Sequence, residues 1–114
     1  MKLEEIVAEA GLTVQTAPQR LDTEVTGGYA SDLLSCAMAK GQRDNLWVTL
    51  QAHPNIVAVA SLLDLAGIII TEGKKLNTGT VEKANEQGVC IMTTEHATFT
   101  IVARLAELGV PGVD

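Results

Sequence analysis

The sequence predicts an α/β fold, with a mostly parallel central sheet between two helix layers in a three-layer α/β/α sandwich. Three observations carry this. From Leu46 onward, apolar runs (46–50, 68–70, 89–92) alternate with helix-like segments closed by glycine, the pattern of right-handed β-α-β units. Ile68-Ile69-Ile70 is an unbroken β-branched run, as expected of a parallel strand covered on both faces. And 114 residues, 46% of them hydrophobic, are enough to bury a core without disulfides or a structural metal.

The elements follow in chain order. Leu3, Ile6, Val7 and Ala10 recur at i, i+3, i+4 and i+7, one apolar helix face, stopped by Gly11. Thr13–Thr16 alternates as a strand, Pro18–Thr23 reads as a loop, and Glu24–Thr26 as a weaker strand running into a turn at Gly27-Gly28. Ser31-Asp32 offers an N-cap for a helix over Leu33–Lys40, with Asp32 favouring the helix dipole, and Gly41 ends it. After a turn at Asp44-Asn45, Leu46–Leu50 is a buried strand and Asn55–Ala66 a helix, opened by Pro54 and closed by Gly67. Ile68–Ile70 follows as a strand, then a helix over Val81–Gln87 capped by Thr78 or Thr80 and ended by Gly88. Val89–Met92 is the last strand, and Thr94 caps a helix running through Phe99 and Leu105 to Gly109. No linker, repeat or low-complexity tract divides the chain, which reads as one domain over 1–114.

Composition excludes several functions. Eight Lys and Arg against fourteen Asp and Glu give a net charge of −6, with the basic residues scattered, so no stripe exists for a phosphate backbone. Three aromatics cannot build a base-stacking platform. Nucleic acid is not an expected partner. No apolar run approaches the ~20 residues of a membrane helix, and Met1–Ala10, with Glu4, Glu5 and Glu9, has the wrong charge for a targeting peptide. A cytoplasmic location without membrane contact is expected. Cys36 and Cys90 lie 54 positions apart, outside any C-x-x-C, and read as two reduced, buried thiols.

In an open parallel sheet, ligands bind beyond the carboxyl ends of the strands. Four clusters are the candidates there: Thr26-Gly27-Gly28-Tyr29 with Asp32, the His53-Pro54-Asn55 segment, Thr71-Glu72-Gly73, and Thr93-Thr94-Glu95-His96. Gly27-Gly28 reads as a positive-φ turn or as an anion-cradling turn before a helix. Gly67–Lys75 superficially resembles a phosphate-binding loop, but it has five residues between its glycines and Lys75 where Ser or Thr is required. His53, Glu72 and His96 could form a two-histidine, one-carboxylate metal site or an acid–base pair, although no nucleophile stands beside them. The stronger reading is that His53 before Pro54 bonds a neighbouring backbone group at a helix start. No metal and no cofactor is expected. Trp47 reads as core, and a dimer is expected to cover some of Leu33, Met38, Ile56, Val59 or Trp47.

The ordered segments Gly28–Ser35, Trp47-Val48-Thr49, His53–Ala60 and Ile68–Gly73 resemble the DRTGG-domain family, particularly its short stand-alone members, over about 25–108. The resemblance implies a Rossmann-like α/β/α domain similar to the N-terminal domain of HPr kinase/phosphorylase. It also implies a regulatory or dimer-forming role, as in DRTGG domains within phosphate acetyltransferases and between the CBS repeats of some pyrophosphatases. The carry-over reaches Gly28, Tyr29, Asp32, Leu33, Leu34, Ser35, Trp47, Thr49, His53, Asn55, Glu72 and Gly73. The contiguous Asp-Arg-Thr-Gly-Gly is reduced to Thr26-Gly27-Gly28 behind Glu24-Val25. The resemblance thus implies a non-catalytic regulatory or accessory module. It would bind a small ligand such as a nucleotide, or a partner protein in a redox or metabolic complex, at the strand-end rim, as a homodimer. An enzyme of phosphoryl transfer or metal-assisted hydrolysis, and a purely structural dimerisation unit, are the alternatives.

Overall fold

A computed structural model describes residues 1–114. Its helices are α1 (Leu3–Ala10), α2 (Leu34–Lys40), α3 (Asn55–Leu63), α4 (Thr78–Gln87) and α5 (Thr98–Glu107), with a 3-10 helix at Pro18–Asp22. The strands are β1 (Thr13–Val14), β2 (Gly27–Ala30), β3 (Asn45–Thr49), β4 (Gly67–Ile70) and β5 (Ile91–Thr93). They form one sheet in the order β1-β5-β4-β3-β2. β2 through β5 are parallel, and β1 adds to β5 antiparallel. The mostly parallel α/β sandwich expected from the sequence is therefore the fold.

Strand alternation divides the core between the two faces of the sheet. Leu46, Val48, Ile69 and Met92 meet Leu3 and Ile6 of α1 and Ile101 and Leu105 of α5. Trp47, Ile68, Ile70 and Ile91 meet Ala37 of α2, Ile56, Val57 and Ala60 of α3, and Ala84 of α4. Each large aliphatic side chain so buried contributes about 1.5–3 kcal/mol, which explains why β3 and β4 are buried at every position.

Several boundaries differ from expectation, each for a local reason. Gly27-Gly28 is not a turn but the start of β2, in register with Asn45 and Leu46. The glycines admit the C-terminal segment: Pro111 and Val113 bracket Gly28 with two backbone hydrogen bonds of 2.9 and 3.1 Å. A Cβ on Gly27 would stand 2.9 Å from Val113 Cγ2. Glu24–Thr26 instead meets the N-terminus, where Val25 donates to the Met1 carbonyl. The Pro18–Thr23 loop is largely 3-10 helix, and only Thr13-Val14 of the expected Thr13–Thr16 strand enters the sheet. Thr16 continues the ladder with its side chain, donating to the Val89 carbonyl and accepting from Ile91 N–H. The α3 helix ends at Leu63 because Asp64 turns left-handed, so Gly67 does not close it and belongs to β4. Asn77, rather than Thr78 or Thr80, caps α4 by accepting from the Thr80 amide at 2.8 Å. The last strand is displaced too, occupying Ile91–Thr93.

Candidate functional site

The carboxyl ends of β2 to β5 share one edge of the sandwich, and the side chains there are largely tied to one another. Asp32 does not cap α2, which starts at Leu34; its Oδ1 accepts from Thr49 Oγ1 at 3.0 Å and from the Leu50 amide at 2.7 Å. It thereby joins the loop after β2 to the end of β3. His53 Nδ1 accepts from the Asn55 amide at 3.1 Å, the helix-start bond that its position before Pro54 suggested. Thr71 Oγ1 lies 2.6 Å from Thr98 Oγ1, and Glu72 Oε2 accepts from the Thr98 amide at 3.0 Å. Thr94 Oγ1 accepts from the His96 amide and does not cap α5, which begins four residues later.

Thr26, Gly27 and Gly28 lie elsewhere. They sit at the amino end of β2, opposite the rim, where Thr26 Oγ1 donates to the Arg43 carbonyl and accepts from Asn45 Nδ2. They leave the candidate site. His53, Glu72 and His96 do not converge either: no three His, Cys, Asp or Glu side chains come together as a set of metal ligands. The Gly67–Lys75 stretch makes no phosphate cradle. Its isoleucines are strand, and the amides of Glu72, Gly73 and Lys74 donate to the carbonyls of His96, Thr94 and Thr71.

What remains at the rim is a cleft of about 380 Å³ beyond β4 and β5. Gly73, Thr93 and Thr94, all expected at the rim, line it. Lys74 and Lys75 line it from the β4–α4 loop, Thr13 of β1 and Gln15 just after that strand from the other side, and Glu95 lies against Gly73. Leu76 and Val81 are the apolar lining residues. Sequence reasoning placed Glu95 at the rim but missed Lys74, Lys75, Thr13 and Gln15. The adjacent lysines immediately after a strand-end glycine were the available signal; the β1 wall had none, because nothing in Thr13-Val14 announces the distant antiparallel partners Thr93 and Met92.

Trp47, Ile56 and Val59 are buried and cannot be covered by a partner, whereas Leu33 and Met38 are exposed together with Leu62, Phe99 and Val102. Trp47 Nε1 donates to the Ser31 carbonyl at 2.9 Å, consistent with core. Both cysteines are free; Cys90 is buried and Cys36 half-buried. Burial pushes the Cys90 thiol up to about 11, against a smaller opposing pull from the Arg20 charge. No helix is long and apolar enough to cross a membrane.

The class of protein so defined is a mostly parallel α/β sandwich with a cleft at its strand ends. The family model of the DRTGG domain matches residues 19–108, and the chain belongs to the DRTGG-domain family. The structure is similar to that of the CBS and DRTGG domains of the regulatory region of Clostridium perfringens pyrophosphatase, complexed with the activator diadenosine tetraphosphate. The TM-score is 0.74 at 16% identity, over 91% of this chain and 45% of that one, so the match spans less than half of the pyrophosphatase region and speaks to fold. Among curated proteins none matches the chain.

Proposed function

We propose that this chain is a regulatory module that takes a small ligand of the nucleotide class in the cleft beyond β4 and β5. The observation that carries the reading is the position of the cleft: about 380 Å³ of open space at the carboxyl ends of parallel strands, lined by Gly73, Thr93 and Thr94, where α/β sheets bind ligands. Its volume is in the range of small-molecule sites. The pyrophosphatase regulatory region with its diadenosine tetraphosphate activator makes nucleotides the first class to test. Phosphoryl transfer has less support, because Gly67–Lys75 lacks the spacing of a phosphate-binding loop and its Glu72, Gly73 and Lys74 amides are committed to carbonyls.

The test is a thermal-shift series with adenine mono- and dinucleotides, diadenosine tetraphosphate included. Linkage predicts about 2.7 kcal/mol of stabilisation at 100 times the dissociation constant. Thr13→Trp fills the cleft from an exposed position and is expected to abolish the shift. A shift that survives Thr13→Trp would move the site elsewhere, and no shift with any nucleotide would overturn the reading.

Homodimerisation is supported by Phe99, 82% exposed on α5, with Val102 one turn away. An aromatic of that exposure is a natural interface anchor. Light scattering on wild type and Phe99→Glu tests it: a dimer converted to monomer supports the α5 surface, and a monomeric wild type overturns it. A protein partner in a redox or metabolic complex rests on family resemblance, and co-purification is its test.

A further inference from the structure

We infer that the strand-end cleft reads its ligand through a phosphate or polyphosphate group held by Lys74 and Lys75, and not through a base. The inference rests on the reading of this cleft as the ligand site, and it names the chemistry of recognition there.

Charge points the same way as shape. The chain is acidic, with a net charge of −6, yet the cleft carries two cations against the single anion Glu95. The ion pairs of the protein are made by Arg20, Arg43 and the N-terminal amine. Lys74 and Lys75 are exposed and enter none of them, so both ammonium groups stand ready for an incoming anion. The backbone of the same wall divides sharply. The amides of Glu72, Gly73 and Lys74 are spent on carbonyls, whereas those of Lys75 and Leu76 donate to no protein acceptor. Ammonium and unpaired amide donors therefore coincide on one short segment, the donor set that phosphate oxygens accept from.

The cleft lacks what a base needs. Tyr29, Trp47 and Phe99 are the only aromatics of the chain, and none of them lines it. Without a ring to stack on, a base forgoes the contact that most favours its binding. Leu76 and Val81 supply the whole apolar lining. On the opposite wall Gln15 Nε2 donates to Thr93 Oγ1 at 2.9 Å, and Thr94 Oγ1 accepts from the His96 amide. Glu95, packed against Gly73, opposes an anion, so its neutralisation is expected to tighten binding.

The experiment is an amide-resolved NMR titration of the full chain with inorganic pyrophosphate, ATP and adenosine, repeated on Lys74→Ala/Lys75→Ala and on Glu95→Gln. Pyrophosphate and ATP are expected to shift the Gly73–Leu76 amides with similar affinity, and adenosine to leave them in place. The double variant is expected to weaken both phosphate compounds about tenfold or more, Glu95→Gln to strengthen them, and added salt to weaken them. Both lysines are exposed, so an unchanged melting temperature verifies that the double variant is folded. Adenosine binding at this cleft as tightly as ATP, undiminished in the double variant, would overturn the phosphate inference and leave the ligand reading standing. Silence of the cleft amides towards all three compounds would overturn the inference, and together with a failed thermal-shift series it would take the ligand reading down as well.

Discussion

Glu72 and Thr98 are 26 positions apart, yet Glu72 Oε2 accepts the Thr98 amide at 3.0 Å, so the carboxylate at the end of one strand caps the helix that follows the next. Glu72 itself sits at φ 63, a left-handed conformation uncommon outside glycine. Its own amide donates to the His96 carbonyl at 2.8 Å. The two loops are thus tied twice, by side chain and by backbone, next in sequence to the cleft residues Gly73 and Glu95.

Removal of this cap is expected to destabilise the protein. Glu72→Ala leaves one orphan amide at the start of α5 and costs about 0.5–2 kcal/mol, while Glu72→Gln keeps an acceptor and costs less. Glu72→Gly also relieves the positive φ, so it should fall nearer to wild type than Ala does. Chemical denaturation of the three variants measures the order, and an Ala variant as stable as wild type would show that the cap contributes nothing.

Asp32 makes the equivalent tie between β2 and β3. Thr49 is fully buried, and its hydroxyl donates to Asp32 Oδ1 while accepting from the Gln51 amide. Asp32→Ala strands a buried donor and the Leu50 amide together, at about 1–3 kcal/mol. Asp32→Asn retains the acceptor oxygen and is expected to recover most of the loss in urea unfolding. Equal losses for both would assign the effect to charge instead.

The two ties mark how far the sequence could be read. β3 and β4 were legible because Leu46–Leu50 is apolar but for Thr49 and Ile68–Ile70 is apolar throughout, and burial of such runs decides their structure before any partner is known. β2 was not: Gly27-Gly28-Tyr29-Ala30 has poor intrinsic strand propensity. It becomes a strand because β3 offers a register on one side and the Pro111–Val113 segment closes the other. The rim followed from topology, which located Thr71–Gly73 and Thr93–His96 correctly. What each side chain does there depended on contacts between segments far apart in the chain. Asp32 read as a helix cap and Glu72 as a free ligand group, and both are cross-loop acceptors.

Gly67 offers a test of packing between β4 and β5. A Cβ there would stand 2.6 Å from Met92 Cε and 3.0 Å from the Cys90 carbonyl oxygen. The methionine end can swing aside, but the carbonyl accepts the Ile68 amide at 2.9 Å and is held in the ladder. Gly67→Ala is therefore expected to cost about 1–3 kcal/mol by overpacking. Gly67→Ala combined with Met92→Leu removes the terminal methyl group and should recover only part of this, since the backbone contact persists. Full recovery in a thermal melt would place the entire clash on the side chain.

Cys90 gives the protein a pH-dependent weakness on the alkaline side. Burial raises its thiol to about 11 in the folded state, while in the unfolded chain it titrates near the usual value of about 8.5–9. Between those values the unfolded state has lost the proton and the folded state keeps it. Fewer protons are bound on unfolding, so stability falls as pH rises from about 9 to about 11, by up to the order of 2–3 kcal/mol. Cys90→Ala removes this contribution, though it also leaves a small cavity that lowers stability at every pH. The informative quantity is the slope: the difference in unfolding free energy between wild type and Cys90→Ala is expected to shrink steadily above pH 9. At pH 8 the same burial predicts that a thiol reagent modifies the half-buried Cys36 first, with Cys90 reacting only as the protein unfolds. Parallel stability curves across the alkaline range, or prompt labelling of Cys90 in the folded protein, would show that the thiol is not held in its protonated form by the core around Ala66, Ile69 and Met92.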